Sequence, residues 1–186
     1  MRKSTERIIL HCTATIEGKD YSVDTIRQWH LQRKFDDIGY HFVIARDGEI
    51  MEGRDINKAG AHAAGYNYNS IGISYVGGLD KNLQPKDTRT PEQVEAFKTI
   101  IERMVDKYPD IRVLIGHRDT SPDLNESRSI EPHEYIKACP CFDVEKEYGV
   151  WFRELLQKKG VDKSEIDKGY DLLAQQRIDA TKKKLR

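Results

Sequence analysis

Two short runs of unbroken apolar residues, Ile8-Ile9-Leu10 and Val113-Leu114-Ile115, constrain this chain most. Neither alternates with polar residues, so each reads as a strand covered on both faces of a sheet. Each run also ends at a histidine: His11 follows the first directly, and His117 follows the second after Gly116. Two strands of this kind need helices above and below them, and the sequence between them supplies helices.

Ser22 caps a helix running to about Lys34, with Ile26, Trp29, His30 and Arg33 on one side of it. Tyr40 to Ala45 and Glu49 to Gly53 read as a hairpin across Arg46-Asp47-Gly48-Glu49, where Asp-Gly supplies positive φ. Ala59 to Tyr68 is a loop rich in Gly and Ala. Ser70 to Val76 is a further strand, alternating Ile71, Ile73 and Tyr75 with smaller residues. Gly77 to Arg89 reads as a polar loop. Thr90-Pro91-Glu92-Gln93 opens a second helix, with Thr as cap, Pro at the first position and Gln three residues after the cap. Val94, Phe97, Ile101, Met104 and Val105 form its inner face. Right-handed crossovers make the flanking strands parallel, while the hairpin pair is antiparallel. The expected fold is α/β: a mixed central sheet of about five strands flanked by helices. Residues 1–155 are expected to form the domain that carries the motifs. Residues 156–186 are expected to be a charged helical C-terminal extension, with Ile166, Tyr170, Leu173 and Ile178 at near-helical spacing and a solvated basic end from Lys182 to Arg186.

Composition narrows the classes of function. Lys plus Arg and Asp plus Glu both number 31, so the zero net charge gives no push towards nucleic acid. No apolar run approaches the roughly 18 to 20 residues of a membrane span. Arg2 and Lys3 are followed by only three apolar residues, Ile8 to Leu10, far short of a secretory signal of about 7–15. The chain is therefore expected to be made in the cytoplasm. Three cysteines, two of them in Cys139-Pro140-Cys141, suggest a metal site or catalysis rather than a disulfide framework.

In sheets of this type ligands sit outside the carboxyl ends of the parallel strands. His11 and His117 both lie there, which pairs them as metal ligands. Lys137, Cys139, Cys141 and Asp143 come close together later in the chain, and either cysteine can supply a third ligand. Zinc suits imidazole and thiolate, and a catalytic site keeps three protein ligands and leaves the fourth position open. By alternation along the strand, Cys12 points away from His11 and reads as a small core residue. His41 is opposed to Tyr40 in the same way and reads as structural. His30 reads as a packed histidine and His133 as a solvated one. Asp143 is a partner of the site or a helix cap.

Several ordered motifs carry a family resemblance: His11-Cys12-Thr13-Ala14-Thr15, Ile26-Arg27-Gln28-Trp29-His30, Gly39-Tyr40-His41-Phe42, Gly60-Ala61-His62, Gly65-Tyr66-Asn67, Asn69-Ser70-Ile71-Gly72-Ile73 and Lys137-Ala138-Cys139-Pro140. From about Ile8 to Asp143 the chain resembles the zinc N-acetylmuramoyl-L-alanine amidases, in particular the lysozymes of T-odd phages, with the peptidoglycan recognition proteins as wider kin. The resemblance implies a phage amidase-like fold for residues 1–155 and hydrolysis of the amide between N-acetylmuramic acid and L-alanine. It implies Zn2+ held by His11, His117 and Cys139, which sets Cys139 ahead of Cys141. It implies Tyr40 and Lys137 as catalytic residues and His62 as a contact to the muropeptide. The implied partner is bacterial peptidoglycan, with no nucleic acid, and a monomer is expected. An endolysin without its own signal acts on the wall only after release through the membrane. The alternative from another class is a peptidoglycan-binding protein without hydrolysis. A glycosidase would need two carboxylates about 5 to 9.5 Å apart across the sugar, and the sequence orders no such pair.

Overall fold

The computed structural model describes residues 4 to 184. Arg2, Lys3, Leu185 and Arg186 lie outside the described residues. Among the described residues, seven strands and four α-helices are arranged as β1 (Arg7–Cys12), β2 (Thr15–Ile16), α1 (Val23–Gln32), β3 (Phe42–Ile44), β4 (Ile50–Glu52), β5 (Ser70–Tyr75), β6 (Gly78–Leu79), α2 (Pro91–Lys107), β7 (Val113–Gly116), α3 (Val144–Lys158) and α4 (Lys163–Lys184). The main sheet has five strands in the order β4-β3-β5-β1-β7. β1 pairs in parallel with β5 and with β7, β3 pairs in parallel with β5, and β3 pairs antiparallel with β4. This is the expected mixed sheet. Neither crossover joins neighbours, since β5 lies between β1 and β3, and β1 lies between β5 and β7.

The unbroken apolar runs are buried on both faces, as their composition requires. Ile8 and Leu10 face Phe97, Ile100 and Ile101 of α2 and Phe152 and Leu156 of α3. Ile9, Val113 and Ile115 face the opposite way, against Leu173 of α4 and against Ala63 and Tyr66 of the Gly-Ala loop. Val43 of β3 meets Ile26 of α1 on that second face. Gln93 serves the sheet as well as its own helix. Its Oε1 accepts the Thr90 N–H, while its Nε2 donates to the carbonyls of Ile44 and Val76, both at 3.1 Å. One buried amide thus satisfies main-chain groups at the ends of two strands.

A second, two-stranded sheet pairs β2 with β6 in parallel. β6 falls inside the stretch read as a polar loop. Two-residue strands carry no periodicity, and only the tertiary pairing of Thr15 with Gly78 and Ile16 with Leu79 creates them.

Within the C-terminal extension Lys163–Lys184 is a helix, as its spacing suggests, and its apolar side packs inward. The expected boundary after residue 155 falls inside α3. Ile166, Leu173 and Ile178 are buried, and Leu173 lies against Ile9, Val113 and Ile115. β7 is an edge strand, and an unpaired edge is a liability. Tyr170 covers it: the Leu114 N–H donates to the Tyr170 hydroxyl, which donates in turn to the Leu114 carbonyl, each at 3.3 Å. We propose that α4 is an integral layer of the fold. Leu173→Ala is then expected to destabilise the protein by about 2–5 kcal/mol, the range for emptying a fully buried leucine site. Urea unfolding measures this, and an unchanged midpoint would make α4 an appendage.

Candidate metal centre

The parallel register of β1 with β7 pairs Leu10 with Gly116, so His11 and His117 leave the sheet side by side. Their ring centroids are 4.6 Å apart. His11 is wholly buried at the end of β1. His117 is half-buried and opens a single 3-10 turn, His117–Thr120. Asp119 Oδ2 accepts the Gly116 N–H at 2.8 Å, and Thr120 Oγ1 donates to the His117 carbonyl at 2.7 Å. These bonds hold the turn.

The loop carrying Cys139 is brought against β7 by close approach. A Cβ on Gly116 would meet Pro140 Cδ at 2.6 Å, so only glycine admits Pro140 there. Arg118 N–H donates to the Cys139 carbonyl at 2.7 Å. The Cys139 sulfur then lies 3.7 Å from His11 Nδ1 and accepts the Cys12 N–H at 3.3 Å. The donor atoms of His11, His117 and Cys139 all lie within 4.8 Å of one another. Cys141 is turned elsewhere: its thiol donates to the Gly78 carbonyl at 3.3 Å and its sulfur lies 3.8 Å from Cys12 Sγ. The donor set is two imidazoles and one sulfur with one side open to a cleft, and that set fits a catalytic zinc.

Electrostatics suit metal binding too. Burial holds the His11 pKa well below its ordinary value, with His117 and other cationic neighbours adding to the effect. Burial, and then Lys137, lowers His117 to about 4. Both rings are therefore neutral near pH 7 and keep a lone pair for a metal. Contact with Cys139 raises the Cys12 pKa, and contact with Cys12 and burial raise that of Cys141, so both stay thiols.

A cleft of about 520 Å³ opens over these residues, lined by Tyr40, His117, Lys137 and Cys139 among others. Tyr40 lies with its ring centroid 5.2 Å from that of His11, and its hydroxyl is 3.5 Å from the Cys12 carbonyl. Burial raises its pKa, so it stays a hydroxyl donor. Lys137 is exposed at the rim. Trp29 and Arg33 also line the cleft. The side of α1 that carries Ile26, Trp29, His30 and Arg33 thus faces the cleft as well as the core.

His62, the expected muropeptide contact, lines the cleft. It is only 8% exposed, and its ring nitrogens turn inward, Nδ1 lying 2.9 Å from His11 Nε2 and Nε2 lying 3.3 Å from Ser70 Oγ. Ser70 reads in the sequence as an ordinary strand start, and no local signal marks it as a site residue. Asp143 is a helix cap, its side chain accepting the Lys146 N–H at the start of α3. His30 and His41 are buried and structural: His30 Nδ1 accepts the Gly39 N–H, and His41 Nδ1 accepts the Gly72 N–H.

Comparison with known proteins bears on the family and the fold. The family described as N-acetylmuramoyl-L-alanine amidase matches residues 1–140. The endolysin of Escherichia phage T7 is 38% identical over 145 residues, covering 78% of this chain and 86% of that protein. Among solved structures, N-acetylmuramoyl-L-alanine amidase LysC from Clostridium intestinale superposes with a TM-score of 0.59 at 26% identity, covering 86% of this chain and 87% of that one. Drosophila PGRP-LB superposes with a TM-score of 0.60 at 26% identity, covering 80% and 81%.

The lowered histidine pKa values carry a stability consequence for the metal-free protein. An unfolded histidine titrates at its ordinary 6.5, whereas folded His117 titrates at about 4. Between those values the unfolded state binds the extra proton, so stability falls as pH falls. Urea unfolding in chelator is expected to lose up to about 1.4 kcal/mol per pH unit per histidine below pH 6.5. A flat profile between pH 6.5 and 4 would show that His117 protonates freely in the fold.

Proposed function

The chain belongs to the N-acetylmuramoyl-L-alanine amidase family, and from that premise we propose how its residues share the work. It hydrolyses the amide between the lactyl group of N-acetylmuramic acid and L-alanine in peptidoglycan, as an endolysin of phage type. One observation carries the residue assignment: two neutral histidines and a cysteine converge within 4.8 Å beside a cleft.

His11, His117 and Cys139 would hold the zinc. Bound there, zinc supplies Lewis-acid polarisation of the scissile carbonyl and activation of water at neutral pH. The Cys12 N–H donates to Cys139 Sγ and so fixes the direction of that sulfur. Tyr40 keeps its proton and can donate it in a hydrogen bond to the carbonyl oxygen or orient the attacking water. Lys137 at the rim brings a flexible cation to the place where negative charge develops on that oxygen. Burial beneath the cleft excludes water from one side of the site, which strengthens each of these interactions.

Three measurements test this reading. Digested cell wall is expected to release L-alanine amino termini without new reducing sugar ends. Reducing ends alone would indicate a glycosidase, and no new ends at all would favour the binding-protein alternative. Elemental analysis is expected to find one zinc in the wild type and in Cys141→Ser, but none in Cys139→Ser. Full zinc in Cys139→Ser would move the third ligand to another residue. Lys137→Ala is expected to keep its zinc and substrate affinity while kcat falls about 10²–10³-fold, the usual loss for one oxyanion donor. Wild-type kcat in that zinc-loaded variant would return Lys137 to an ordinary surface lysine.

A further inference from the structure

We propose that His62 is a positioning residue. It is the middle of a one-way hydrogen-bond chain that holds the proton of His11 on Nε2 and keeps the His11 Nδ1 lone pair facing Cys139. This rests on the assignment of His11, His117 and Cys139 as the metal ligands.

The direction is set at the far end. The main-chain carbonyl of Tyr66 can only accept, and Ser70 Oγ lies 2.7 Å from it, so the hydroxyl proton is committed there. The Ser70 oxygen then offers only lone pairs to His62 Nε2 at 3.3 Å, and that nitrogen must carry the N–H. A neutral imidazole has one N–H, so His62 Nδ1 is an acceptor. It lies 2.9 Å from His11 Nε2, which must therefore donate. His11 Nδ1 is left with its lone pair, and this is the nitrogen 3.7 Å from Cys139 Sγ. Each link forces the next because a hydroxyl and a neutral imidazole each have a single proton to give.

The fold is shaped to admit this ring. A Cβ on Gly72 would meet the His62 ring at 2.5 Å, and one on Gly60 would meet it at 2.3 Å. Gly72 lies inside β5, where glycine weakens a strand and marks a close approach. Asn67 Oδ1 accepts the N–H groups of both His62 and Ala63 at 2.9 Å, which clamps the loop that delivers the ring. Metal-bound histidines commonly donate their other N–H to a carboxylate, carbonyl or water, and loss of that partner weakens metal binding about 10–100-fold. Here a second imidazole takes that place.

The direct test is the two-bond ¹H–¹⁵N correlation of the histidine rings in zinc-free wild-type protein. Both His11 and His62 are expected to carry their proton on Nε2, and a proton on His11 Nδ1 overturns the proposal. Ser70→Ala, which frees the far end, is expected to mix the tautomers of both rings; unchanged spectra count against the chain. Zinc affinity by chelator competition is expected to fall about 10–100-fold in His62→Leu. His62→Asn, whose amide oxygen replaces Nδ1 as acceptor, is expected to recover most of it. Equal losses in the two variants, or wild-type affinity in a folded His62→Leu, also overturn the proposal. Should His62→Leu fail to fold, the wild-type tautomers decide. Failure of the wild type to bind zinc would instead remove the metal reading, and the His11 tautomer would still test the chain of hydrogen bonds.

Discussion

Parallel pairing of β1 with β7 is the constraint on which the rest of this molecule depends. A parallel pair brings equivalent strand ends together, so two histidines far apart in sequence emerge at one level. The same pairing exposes both faces of both strands and obliges helices to cover them. α2 and α3 cover one face, and α4 covers part of the other, leaving a gap beside α1 where the cleft opens. The position of the cleft is therefore a result of incomplete covering, at the end of the sheet where the histidines stand.

The polar groups beneath the cleft show how a buried site is tolerated. Unpaired polar groups in a core are costly, and each buried histidine here has a partner. His30 and His41 each accept a main-chain N–H, and His62 lies between His11 and Ser70. The burial that demands these partners also keeps His11 and His117 neutral, the form a metal requires. Packing and chemistry here come from one cause, the removal of water.

Much of the fold was legible because its signals are local. The Thr90 capping box, the Asp-Gly turn and the unbroken apolar strands each bring their cause within a few residues, and each appears where expected. The β2–β6 pair was not legible, since two-residue strands exist only through their partner. The stripe of α4 was visible, yet what it covers was not. Ile166, Leu173 and Ile178 announce an apolar side, but nothing in their spacing names Ile9, Val113 and Ile115 as its target.

For the candidate site the division runs between residue type and direction. By itself the sequence determined that histidines end two buried strands, that Cys139 and Cys141 compete two residues apart, and that the ordered motifs are those of an amidase. Those are matters of composition, alternation and order along the chain. Tertiary structure alone decided that Cys139 Sγ faces His11 while Cys141 Sγ turns to Gly78, because the approach of Pro140 to Gly116 orients that loop. It alone decided that His62 lies under His11 and not simply on the cleft wall, because Gly60, two residues before it, and Gly72 in β5 clear space for its ring. Side-chain direction within a loop depends on what the loop packs against, and that information is held across the fold, not in the loop's own residues alone.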